Sequence, residues 1–167
     1  MTSRYSTIEK IISILLFAWG VTFFVGAIIS NYNFFQLQFK NGNLNWQTIS
    51  FLKIFRRYHL IILLALATIF AGASLFRNKR VGWTLAMTTL LLNALLPFIP
   101  IDKYDEVFYK NFLFQEALLS IAFVTLFFIL LLKPFRQKYN VTNKTWLTIA
   151  TMTGIILIEK TLFFLTS

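Results

Sequence analysis

From Ile11 to Ser30 the chain reads IISILLFAWGVTFFVGAIIS, an apolar block with no charge, and four further blocks of similar length follow it. A helix needs about 20 apolar residues to cross the hydrocarbon core of a bilayer. This repetition constrains the fold more than any motif does. The blocks cover about 11–30, 58–76, 81–99, 112–132 and 146–165. In lipid each of them has to be helical, because an open strand leaves backbone donors and acceptors without partners. Composition agrees: charged residues make up 13% and mean hydropathy is +0.69, where a soluble domain carries roughly a quarter charged residues. The sequence therefore predicts an all-α polytopic membrane protein, with about five transmembrane helices in one bundle that takes in the whole of 1–167.

Lysine and arginine set the orientation. With the N-terminus inside, the inner segments hold Arg4, Lys10, Arg77, Lys79, Arg80, Lys133, Arg136, Lys138 and Lys144. The outer ones hold Lys40, Lys53, Arg56, Arg57, Lys103, Lys110 and Lys160. The inner set is larger, and the turn RNKR is dense in cations, so the N-terminus is expected in the cytoplasm and the C-terminus outside the plasma membrane of an A/T-rich bacterium. A net charge of +10 suggests nucleic acid at first sight. Cations that flank spans are what topology and anionic lipid headgroups require, however, and lipid is the expected partner of the basic loops.

Between the first two blocks stands FQLQFKNGNLNW. Asn41-Gly42 is a favoured pair for a two-residue type I′ turn, and it would oppose Phe39 to Leu44 and Leu37 to Trp46, all on one face. Residues 35–46 are thus expected to form a short extracytoplasmic β-hairpin. The stretch TISFLKIFRRYHL then places apolar residues near helical spacing with cations between them, which predicts an interfacial helix before the second span. Within the first span Ala18, Thr22, Gly26 and Ser30 recur every four residues, a small-residue stripe of the kind that lets another helix approach closely. Trp46, Trp83 and Trp146 lie at the edges of spans or loops, where indole rings favour the interface.

The chemistry available is narrow. There is no cysteine and one histidine, His59, so disulfides, thiol nucleophiles, bis-histidine haem and multi-histidine metal sites are out of reach. No cofactor or metal is expected. The polar groups of interest are Arg56, Arg57 and His59 at the start of the second span, Asn93 in the third, Glu116 at the start of the fourth, and Glu159 and Lys160 in the fifth. All fall in the outer half of the expected membrane, and the inner half looks nearly featureless. Ionisable residues at depth are candidates for function, so this set is read as an outer pocket that binds a ligand or a partner. The scarcity of catalytic groups favours a non-catalytic subunit or accessory protein that docks a protein partner or a second copy of itself. A membrane enzyme acting on a lipid is the alternative, with His59 or Glu116 as acid or base and the arginines holding a phosphate. An oligomeric pore ranks third.

Overall fold

The computed structural model describes residues 3–40, 51–98 and 106–166, and these are almost wholly helical. In chain order they form α1 (Ser3–Lys40), α2 (Phe51–Phe76), α3 (Arg80–Leu95) with a 3₁₀ turn at Leu96–Phe98, α4 (Glu106–Leu130), α5 (Lys133–Lys138) and α6 (Asn143–Thr166). No strand occurs among the described residues. Two segments, Tyr5–Asn33 in α1 and His59–Phe76 in α2, are long and apolar enough to cross a membrane.

The first half of the expected hairpin is overturned, for Phe35 to Lys40 continue α1; the second half, from Asn41 to Trp46, lies outside the described residues. An isolated two-stranded hairpin is marginal in water, whereas lengthening an existing helix adds a hydrogen bond for each residue fixed. The side chain of Gln36 reaches back one turn to the hydroxyl of Tyr32 at 2.7 Å, a contact that belongs to a helix. Nor is a separate interfacial helix found among the described residues. Residues 51–59 run directly into the second apolar block as one helix, and no proline or glycine stands there to divide it. The fourth and fifth blocks become α4 and α6 with somewhat different ends.

Two asparagines close the short connections. Asn78 and Asn140 both have positive φ, 56° and 47°, which a short polar side chain tolerates better than most. After α2, the amide of Lys79 donates to Ser74 O and that of Asn78 to Leu75 O. After α5, Val141 donates to Arg136 O and Asn140 to Gln137 O. Both are Schellman closures with asparagine at the left-handed position. Pro134 opens α5, where its missing N–H has no helical partner to lose.

Helix α3 is the centre of the bundle. It packs on α2, α4 and α6, while α1 lies along α2. The close approaches depend on glycine. A Cβ added to Gly82 would stand 2.3 Å from the backbone nitrogen of Leu75, and one on Gly72 would stand 2.6 Å from that of Phe17. The predicted stripe is not one of these seams. Ala18, Thr22, Gly26 and Ser30 are all exposed, and nothing approaches within 4 Å of the Cβ position of Gly26. Nor is Trp83 at an interface. It is fully buried, its indole N–H donates to Leu130 O at 3.2 Å, and Trp146 meets its ring edge-on with centroids 5.7 Å apart.

Large apolar side chains such as Ile14, Leu15, Phe17, Phe70, Phe128 and Ile155 are exposed, while Thr68, Thr88, Thr89, Asn93 and Glu9 are buried. The hydroxyl of Thr68 donates to Leu64 O at 2.7 Å and that of Thr88 to Thr84 O at 3.0 Å. Such back-bonding lets a hydroxyl enter an apolar interior without losing its hydrogen bond.

Candidate functional site

The expected polar cluster is assembled in part. His59 near the start of the apolar half of α2 and Glu159 in α6 meet across the bundle, with a hydrogen bond of 2.6 Å between His59 Nε2 and Glu159 Oε1. The His59 side chain is 21% exposed and that of Glu159 48%. The pair therefore lies on the flank of the bundle and does not sit in a closed cavity.

Lys160, the next residue, turns to the end of α3 and donates to Leu96 O at 2.5 Å. Helix α3 ends at Leu95 and tightens into the 3₁₀ turn that contains Pro97, because proline cannot donate to the helical ladder. Carbonyls at a helix end have no intrahelical donor, and an ammonium group there also complements the helix dipole. Lys160 thus fastens α6 to α3.

Asn93 belongs to a different set of contacts. Its Nδ2 donates to Thr89 O at 2.8 Å, the indole N–H of Trp19 donates to its Oδ1 at 3.2 Å, and Thr68 Oγ1 lies 3.5 Å from Nδ2. Asn93 is buried and joins α1, α2 and α3 as an internal tie. Arg56 and Arg57 fall on α2 and Glu116 on α4, but their side chains lie outside the described residues.

A groove of about 360 Å³ runs beside α1, lined by Trp19, Phe23, Gly26, Ser30, Asn31 and Ile61 among others. Its lining is mostly apolar. None of the expected site residues whose side chains are described lines it, although Trp19 on its wall donates to Asn93.

The opposite end carries what sequence reasoning missed. Glu9 is only 2% exposed, and Lys138 of α5 donates both to its Oε2 and to Asn78 Oδ1 in the α2–α3 turn. Tyr5 and Phe135 pack edge to face beside this contact, with centroids 5.8 Å apart. Arg80 reaches the hydroxyls of Thr142 and Thr145 at 3.1 and 2.8 Å. Far from being featureless, this end joins α1, the α2–α3 turn, α5 and α6 through charged and polar groups. The signal available was the lone acid in TSRYSTIEK, which a reader of sequence assigns to a solvated flank.

Among the described residues no cluster of three histidines or carboxylates suited to a metal occurs. Comparison with known protein families, with curated proteins and with solved structures finds no match.

Proposed function

We propose that the chain is a small integral membrane protein of the plasma membrane, with five spans in one bundle, its N-terminus in the cytoplasm and its C-terminus outside. It acts without catalysis, as an accessory subunit that docks a partner or ligand at the outer flank where His59 meets Glu159. The distribution of side chains supports the membrane reading. Many large apolar side chains stand exposed on the outside, while several threonines, Asn93 and Glu9 are buried within an otherwise apolar interior; so much exposed apolar surface is more than water-soluble monomers carry. Helices of 24 and 25 residues at α6 and α4 are about 36 Å long at 1.5 Å per residue, enough to cross.

The single observation that carries the docking role is the exposure of the pair. Glu159 lies seven positions before the end of α6, about 10 Å along the helix axis, and nearly half of its side-chain surface is open. An ionisable pair left open at that depth faces lipid, where polar groups are costly. A polar group on a partner relieves that cost. The same contact favours a second reading, in which His59 is an acid or base oriented by Glu159 in a membrane enzyme that acts on a lipid.

Purification of the tagged full chain in mild detergent tests the first reading. A partner recovered in fixed stoichiometry with the wild type is expected to be lost from Glu159→Gln and His59→Ala while both variants stay folded. Retention of that partner by both variants removes the docking site from this flank. A reporter fused after Arg80 is expected to read cytoplasmic and one after Ser167 extracytoplasmic; any other pair of readings breaks the topology.

A further inference from the structure

The α2–α3 turn and the connection from α5 to α6 are about sixty residues apart in the chain, yet two contacts hold them side by side. Lys138 donates to Asn78, and Arg80 donates to Thr142 and Thr145. Two basic stretches that are separate in sequence, RNKR and KPFRQK with the nearby Lys144, become one surface. On it Arg77, Lys79, Arg80, Lys133, Arg136 and Lys144 are all exposed. The acid at this end, Glu9, is buried and already paired with Lys138, so it subtracts nothing from the surface potential.

We propose that this end of the bundle is a docking surface for anionic lipid headgroups. The proposal rests on the membrane reading above and adds the headgroup class and the residues that select it. What favours lipid over an acidic protein is the immediate neighbourhood of the cations. Phe76 precedes Arg77, Val81 follows Arg80, Leu132 precedes Lys133 and Leu147 lies three positions after Lys144, and all four apolar side chains are exposed. Phosphate-binding charge therefore begins within a residue or so of surface suited to acyl chains, as it does at the headgroup level of a bilayer. Long basic side chains reach such a level with their stems in the apolar layer. A protein partner would approach from water and leave that apolar collar unmet. The surface is also fixed in place: Lys138 and Arg80 are engaged in holding the two segments together, which leaves the remaining cations presented without further ordering.

The test uses the full chain reconstituted in phosphatidylcholine vesicles, with and without phosphatidylglycerol, and scores retained lipid by native mass spectrometry after gentle extraction. Wild type is expected to retain phosphatidylglycerol over phosphatidylcholine by about tenfold or more, given the usual attraction per cation near an anionic surface. The paired variants Arg77→Gln with Lys79→Gln, and Arg136→Gln with Lys144→Gln, each lower that preference, and all four together abolish it. Lys40→Gln, far from this surface, leaves it unchanged. Equal retention of both lipids by wild type, or a preference that survives the fourfold variant, overturns the proposal. So does tighter binding of a soluble poly-glutamate peptide than of phosphatidylglycerol, which assigns the surface to an acidic protein. Carbonate washing separates the two levels of failure. A chain that stays embedded but shows no lipid preference sinks the headgroup surface alone, while a chain that washes off sinks the membrane reading with it.

Discussion

Among the described residues, each end of the bundle pairs a carboxylate across helices, Glu9 with a lysine and Glu159 with an imidazole, and the two pairs differ above all in burial. At the α5 end the Glu9 side chain is 2% exposed beneath Lys138; at the other end the Glu159 side chain is 48% exposed beside His59. Burial decides what each pair can do. A buried carboxylate deprived of its cation keeps its full desolvation penalty, so the Glu9 pair is a structural commitment. An open pair contributes little to stability and stays available to a third group. The same chemistry thus serves as a clamp at one end and as a contact point at the other.

The largest effect is expected from breaking the clamp on one side only. Lys138→Ala leaves Glu9 buried and unpaired, and should cost about 3 to 5 kcal/mol, seen as a lowered midpoint of unfolding in detergent. Adding Glu9→Gln should return most of that loss, because the stranded charge is gone. A double variant as unstable as the single would show that the lysine acts through something other than the pair.

Next in size is packing at the same end. Gly82→Ala drives a methyl group against the backbone of Leu75 and Ser74 and should cost about 1 to 3 kcal/mol. On the open stretch of α1, Gly26→Ala meets nothing and should stabilise by about 0.5 to 1 kcal/mol through helix propensity. If Gly26→Ala destabilises instead, something packs on that stripe, and the contrast between the two glycines narrows.

The smallest change is expected at the open pair. Glu159→Gln, with nearly half the side chain open to its surroundings, should shift stability by only about 0 to 1 kcal/mol while it removes the docking described above. A loss as large as that from Lys138→Ala would erase the difference between the ends.

How much of this was legible beforehand varies with the range of the interaction. The helices were legible because a run of apolar residues specifies them locally: α1, α2 and α6 contain the first, second and fifth blocks, and α3 and α4 cover most of the third and fourth. His59, Glu159 and Lys160 were named together because all three interrupt apolar sequence near one end, and the first two do touch. The first half of the hairpin misled because the alternation before Asn41-Gly42 gives a real local preference, which over Phe35 to Lys40 a helix already running through Tyr32 overrides. Glu9 was passed over for the opposite reason: nothing near it in sequence marks it. Its burial depends on a lysine 129 positions away. The stripe of Ala18, Thr22, Gly26 and Ser30 shows that spacing alone does not say which face a neighbour takes; α2 chose the side of Gly20, where an added Cβ would stand 2.8 Å from Ile69.

Helix α6 meets α3 at two levels, Arg80 with Thr145 and Leu96 with Lys160. The offsets, 65 and 64 positions, nearly agree, so the two helices run parallel without slipping. This bears on the order of synthesis. The most extensive earlier contacts of the bundle join helices that leave the ribosome one after another, α1 with α2, α2 with α3 and α3 with α4. The final helix has to pass over its immediate predecessor and find α3, which by then has waited with the guanidinium of Arg80 and the carbonyl of Leu96 unmatched. Completion of the molecule is therefore a late, single docking event that aligns both polar ties together. A chain halted before Asn143 emerges with α1 to α5 in place and a vacant seat along its central helix, the form that a chaperone or a quality-control protease would be placed to recognise.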